Sequence, residues 1–519
     1  MSRAEPEAAE PVATRAATPL LNADAVDITA SDPLAGSPPT AGLAVSEPVG
    51  AVSPGLDAAP GGARPHSRRH RTRHRRHLWP WLILAVAVIL AAGGLVAAQR
   101  INRPLARPRL VSSLPASLTV PGVAPTLPWP TVGQGAVAIP ALGYAAQSGP
   151  EVPVPIASLT KMANAVVILR EHPLAPGEAG PTITVTQADV AEYDYDIDND
   201  ESNIPIQVGE KLTEFQMLEA LMNQSANDIA YSLAMWDAGS VPAFVAKMNA
   251  LAASLGADHT HYADASGYDP QSVSTAADTL RIAAEGMSIP AFAHVVSLST
   301  VNLPLVGTVH NIVTEIGSDG VVGVKSGYTS QAGGCMVLAA YRVIGGRSVL
   351  VLASALGQHV PAPVAPKPTP PAAAGTHPGH PAAALPSTTT TTVPTNDLEI
   401  MYPLRYAGPI VETLLDASKA AVVQVPVATR GQVLMSASAD WNGMSHRVGA
   451  VTTQGAWLLG WPGQKVAAVV RFGVVPPGAV AGHRAGDALY ALGQQIESVP
   501  LTITGTLPEP SWWWRLVHG

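Results

Sequence analysis

Ile156-Ala157-Ser158-Leu159-Thr160-Lys161-Met162 is the stretch from which the rest of the chain is read. It sets a serine three residues ahead of a lysine as a helical pattern begins, so the two side chains share one helical face. Met162, Val166, Val167 and Leu169 give that helix an apolar side, and Pro153 and Pro155 mark where extended chain stops. The pair can make a nucleophile. A lysine that is desolvated and near another cation is neutral and can take the hydroxyl proton, while the helix dipole favours the oxyanion formed on attack. An isolated Ser-x-x-Lys also describes a solvated helix start, so the reading turns on partners elsewhere.

The chain has 519 residues, which implies two or three domains, with only 13% charged residues and a net charge of -8. Residues 1–77 hold nine arginines and eight acids, a balance of +1, so the remainder carries -9. That argues against a nucleic-acid partner. The single cysteine, Cys335, excludes an intrachain disulfide framework and a multi-thiolate metal site, and reads as a small buried apolar residue. No metal or other cofactor is expected.

Residues 1–77 read as a disordered cytoplasmic tail ending in the Arg/His-rich run His66 to His77. Leu78 to Ala98 is 21 residues without a charge, about 31 Å as a helix, with Trp79 and Trp81 where an interfacial belt belongs. Arginines before it outnumber those after it, which keeps the N-terminus in the cytoplasm and sends the rest outside the cell membrane. A cleaved signal peptide is the alternative, although 77 preceding residues are long for an n-region.

Residues 99–128 read as a Pro-rich spacer and 129–357 as a catalytic domain of mixed α/β class. Strands are expected at 134–139, 143–146, 321–325, 334–342 and 348–353, and helices after Ser158, over 212–237, 244–255 and 275–286. Residues 358–397 read as a Pro/Thr-rich linker, 398–421 as a helix returning to the catalytic domain, and 422–507 as a small C-terminal β-domain. The Trp-rich tail 508–519 suits a membrane surface or its own domain equally. Asp194, Asp196, Asp198 and Asp200 alternate as in a calcium loop, but Asn199 stands at the turn position and Pro205 at the bidentate position, so a solvated loop is expected. His294 and His310 are expected to be ordinary surface or core residues.

The partners follow in order. Ser225-Ala226-Asn227 lies 67 residues beyond Ser158, and Lys325-Ser326-Gly327 lies 100 beyond Ser225 at the end of an expected strand. Together, Ser-x-x-Lys, Ser-x-Asn and Lys-Ser-Gly form the set known from penicillin-binding proteins and class A β-lactamases. From about Trp129 to Leu356 the chain resembles the serine-type D-alanyl-D-alanine carboxypeptidases, low-molecular-mass penicillin-binding proteins of the S11 type. Supporting stretches are Gly209 to Thr213, Ser225 to Asp228, Met248-Asn249, Leu255 to Thr260, Ser266-Gly267, Ser274 to Ala276 and Gly323 to Gly334. The departures are Ser326 where the family usually has threonine, and Asp264-Ala265-Ser266-Gly267 where many members have Asn-Pro-Ser-Gly.

The resemblance implies a helical lobe beside an antiparallel five-stranded sheet, with a C-terminal β-domain. It implies a membrane-anchored enzyme that removes the terminal D-alanine from peptidoglycan stem peptides ending in D-Ala-D-Ala, with β-lactams as covalent inhibitors. Ser158, Lys161 and Ser225 would be catalytic: attack, proton acceptance, and proton delivery to the leaving D-alanine. Asn227, Lys325, Ser326, Gly327 and Tyr328 would bind substrate, with Lys325 also supplying the charge that depresses Lys161. Two alternatives stand beside this: a wall-binding or β-lactam-sensing protein without useful turnover, and a β-lactamase. No Glu-x-x-Leu-Asn lies between the second and third motifs to supply a deacylating base.

Overall fold

A computed structural model describes residues 79–149, 151–359, 395–441 and 444–518. The expected tail, Leu78 and most of the Pro/Thr linker lie outside the described residues. The fold is of mixed α/β class. Its first element is the helix Trp79–Ile101, about 35 Å long and with none of its apolar window buried. Among the described residues it alone is long and apolar enough to cross a membrane.

The catalytic unit is built on a five-stranded antiparallel sheet. In spatial order its strands are Val321–Thr329, Gly333–Ile344, Arg347–Gln358, Gln134–Ile139 and Tyr144–Ser148. The three central strands are almost continuously buried, because helices cover both faces. Ala276–Ser288 packs on the strands at 134–139 and 347–358, and Thr395–Ala421 on those at 333–344 and 347–358. Thr275 caps the first of these helices by accepting from the Asp278 amide. The helical lobe holds Thr160–Glu171, Gln187–Asp198, Glu214–Asn223, Asn227–Ala238 and Val241–Ser254, with Phe244, Met248, Leu221 and Leu233 wholly buried among them. Thr186 with Asp189 and Thr213 with Gln216 form capping boxes that start two of these helices.

Three expectations need correction. The helix expected over 212–237 is two helices, because Ser225 adopts φ 60° and Ala226 an extended conformation before the second begins at Asn227. The acidic run expected as a solvated loop is the end of the helix Gln187–Asp198, and Asp196 within it is wholly buried. The segment expected as a spacer is part of the β-unit. Arg109–Ser112 and Ser117–Thr119 are the two edges of a seven-stranded sheet, pairing with Val433–Trp441 and Lys465–Phe472. Leu110, Leu118 and Val120 pack into its core, while the prolines around them confine the segment to the edges.

The two units are joined by aromatic contacts. Trp461 of the β-unit is 3% exposed and stacks on Tyr144 of the catalytic sheet at 4.0 Å. Arg347 lies 4.1 Å from the Trp457 ring centroid and donates to Glu497 at 2.7 Å. The short C-terminal helix Trp512–His518 docks beside the end of the long N-terminal helix, with Arg515 donating to the Ile101 carbonyl at 3.3 Å. Trp461→Ala is expected to cost about 3–5 kcal/mol and to lower the unfolding midpoint of the catalytic unit along with the β-unit. Thermal unfolding followed by tryptophan fluorescence and by near-UV dichroism checks this, and an unchanged midpoint would show that the joint carries no stability.

Candidate active site

Ser158 lies on a short 3-10 turn, Ala157–Leu159, which runs into the helix Thr160–Glu171. Ala157 holds φ 48°, a left-handed conformation that costs a residue with a Cβ about 1 kcal/mol and that collects at functional sites. Two glycines let their segments close on this turn. A Cβ on Gly267 (φ +88°) would sit 1.9 Å from the Ala157 carbonyl oxygen, and one on Gly327 would sit 2.7 Å from the Ser158 nitrogen. Gly327 belongs to the edge strand Val321–Thr329, and Lys325, two residues earlier, shares its face.

Lys161 sits one turn into the helix with no exposed surface. Its Nζ is 2.9 Å from Ser158 Oγ, 2.5 Å from Asn227 Oδ1 and 3.0 Å from the carbonyl oxygen of Ser266. Burial brings its pKa down to about 8, against Asp264, Asp196, Glu201 and Asp228, whose charges pull it up. Of the two causes the sequence suggested, loss of water and a nearby cation, burial is the chief one. Lys325 is also wholly buried; its pKa is driven well below the ordinary lysine range by burial first and by Lys161 second. Burial favours the neutral form of Lys161, and Lys161 in turn disfavours the charge on Lys325. An uncharged amine has two N–H bonds and one lone pair. The Asn227 and Ser266 oxygens accept the two hydrogens, and the lone pair is left for the hydroxyl of Ser158.

The remaining residues singled out in the sequence are placed as follows. Ser225 is 4% exposed at the break between the helices Glu214–Asn223 and Asn227–Ala238, two residues before Asn227. The break is what turns Asn227 to the start of a helix and toward Lys161. Lys325 Nζ donates to the Ser326 carbonyl at 2.9 Å, and Ser326 Oγ is buried with no hydrogen-bond partner among the described residues. Tyr328 pairs with Gly334 across the edge strand. Cys335, opposite Gly327 in register, is fully buried, and burial pushes its thiol up to about 12, so it is inert as a nucleophile.

Two residues near the amine escaped the sequence reading. Asp264 accepts from Ser266 Oγ (2.8 Å), the amides of Gly267 and Tyr268 (2.9 Å each) and Ser272 Oγ (2.5 Å). These bonds fold the loop so that the Ser266 carbonyl meets Lys161. Glu201 accepts from Asn227 Nδ2 at 2.5 Å. The departure at Asp264-Ala265-Ser266-Gly267 was visible in the sequence, but nothing there placed it beside Lys161.

The region matches the family Peptidase S11, described as D-alanyl-D-alanine carboxypeptidase, over residues 145–354, a span containing all eight singled-out residues. The chain is similar to the D-alanyl-D-alanine carboxypeptidase of Streptomyces sp. (strain K15), 32% identical over 216 residues, covering 38% of this chain and 72% of that protein. It is also similar to the D-alanyl-D-alanine carboxypeptidase DacB2 of Mycobacterium tuberculosis, 35% identical over 155 residues, 28% of this chain and 52% of that protein. Among solved structures, the Streptomyces K15 DD-transpeptidase matches 46% of this chain and 92% of its own, at 29% identity and a TM-score of 0.39. Penicillin binding protein 5 from Haemophilus influenzae matches 75% and 100%, at 19% identity and a TM-score of 0.47.

Gly327→Ala puts a methyl group against the Ser158 amide. If Ser158 is the nucleophile, its labelling by a fluorescent penicillin is expected to slow on the order of 100-fold, more than the added methyl's cost to stability of about 1–3 kcal/mol accounts for. Labelling time courses beside a melt would check this, and parent-like labelling would mean the strand can retreat.

Proposed function

The chain belongs to the D-alanyl-D-alanine carboxypeptidase family, Peptidase S11, and from that premise we propose that it trims the terminal D-alanine from peptidoglycan stem pentapeptides through an acyl-enzyme on Ser158. It is a serine-type peptidase. The observation that carries the mechanism is the 2.9 Å contact between Ser158 Oγ and an amine whose burial favours the neutral form.

In this reading Lys161 takes the hydroxyl proton as Ser158 attacks the carbonyl between the two D-alanines. The amides of Ser158 and Tyr328 hold the oxyanion. Lys325, becoming charged as the substrate enters, and Ser326 Oγ receive the terminal carboxylate; serine keeps the hydroxyl that threonine supplies elsewhere in the family. Asn227 orients Lys161 and a substrate amide, and Ser225 passes a proton to the departing D-alanine. Val321–Thr329 is a sheet edge, so an extended stem peptide can add to it as a strand. Water then releases the acyl group. β-Lactams, which present the same acyl carbon and carboxylate, acylate Ser158 in place of substrate. The helix Trp79–Ile101 anchors the enzyme, with the catalytic unit outside the cell membrane.

Ser158→Ala is expected to abolish both D-alanine release from a pentapeptide ending in D-Ala-D-Ala and covalent labelling by a fluorescent penicillin. Retained labelling at another residue would overturn the assignment. The acylation rate of the parent is expected to rise with pH through about 8 and then level, falling about tenfold per pH unit below it, because the protonated lysine has no lone pair. A rate that is flat from pH 6 to 9 would remove Lys161 as the base.

A further inference from the structure

Lys161 can act on Ser158 only if its two N–H bonds are engaged elsewhere, and one of the two acceptors is a side chain that could face either way. The Asn227 amide presents an oxygen on one side and two donors on the other. With the oxygen toward Lys161 it leaves the lone pair on Ser158; reversed, it would offer the amine a donor and claim that lone pair. Glu201 decides between them. Its Oε2 lies 2.5 Å from Asn227 Nδ2; burial raises the Glu201 carboxyl above its usual range, the Asn227 hydrogen bond and Lys161 pull it back, and the ionised form accepts and never donates. We infer that Glu201 is a positioning residue for this reaction: it fixes the direction of the Asn227 amide and, through it, aims the lone pair of Lys161 at Ser158.

The setting supports a role beyond stability. Glu201 is 8% exposed and its Oε1 is buried with no partner, an arrangement that costs free energy and that an apolar residue would relieve. The segment carrying it is bound to the Asn227 helix by one backbone bond, to the helix Gln187–Asp198 by another, and to itself by a third. Asn227 N donates to the Ser202 carbonyl at 2.7 Å, Glu201 N to the Asp196 carbonyl at 2.8 Å, and Asn203 Nδ2 to the Glu201 carbonyl at 2.9 Å. Glu201 also faces the amine as a charge, together with Asp196, Asp228 and Asp264 from three other elements and Lys325 from the edge strand.

The inference rests on Ser158 and Lys161 acting as proposed above, and the experiment separates the two. In the full chain, Glu201→Leu and Glu201→Gln are compared with the parent for Ser158 labelling by a fluorescent penicillin across pH, and for D-alanine release as kcat and KM. Leucine removes the acceptor: acylation is expected to slow on the order of 10- to 100-fold, in kcat more than KM, with the unfolding midpoint held or raised. Glutamine keeps a carbonyl for Asn227 and loses the charge: the rate is expected to stay within about threefold of the parent, with its acid limb moved to lower pH, since one of the charges that holds Lys161 protonated is gone. Parent-like acylation in Glu201→Leu, or a loss in Glu201→Gln as large as the leucine variant's, would overturn the inference; if the leucine variant does not fold, Glu201→Ala, which also removes the acceptor, decides in its place. A parent chain that takes no label at Ser158 and releases no D-alanine would overturn the underlying reading, and this inference with it.

Discussion

Taking one ammonium group out of water is the constraint around which this molecule is arranged. Lys161 in solution would be protonated and useless as a base; buried beneath the Ser158 turn, its pKa falls to about 8. Desolvation alone would push it further, and the four carboxylates around it oppose that. The balance leaves an amine that can take a proton near neutral pH and give it up again, which is what the proposed acyl transfer asks of it. The same carboxylates serve the geometry: Asp264 shapes the loop that offers the Ser266 carbonyl, and Glu201 holds the amide of Asn227.

The scaffold serves that buried amine. A sheet edge and a loop can approach the Ser158 turn closely only where a side chain is missing, at Gly327 and Gly267. The helical lobe supplies Asn227 by breaking one helix into two at Ser225. Beyond the site, the β-unit is fixed to the catalytic sheet by the Tyr144–Trp461 stack and by Arg347, while its edge strands come from the segment just after the N-terminal helix. The catalytic unit is thereby tied through the β-unit to the end of that helix.

Several features were legible in the residues because they depend on local spacing. Strands with unbroken apolar runs, such as Gln134–Ile139, and helices opened by Thr275 declare themselves through periodicity and caps. The break at Ser225 was hidden because Leu218, Leu221, Met222, Ile229 and Leu233 keep a helical apolar pattern across it, and no glycine or proline marks it. The spacer was misread for the reverse reason: its prolines signal extended chain, and only a partner sheet makes extended chain into a strand.

The amino-acid order by itself determined which groups are available to the chemistry: a hydroxyl and an amine three residues apart, a second serine with an asparagine, and a lysine at a strand end. Tertiary structure decided what those groups are worth. Protonation depends on how completely Lys161 loses water and on which carboxylates surround it, and those come from positions 196, 201, 228 and 264, scattered through the chain. Dielectric environment is a property of packed volume, and no local spacing encodes it.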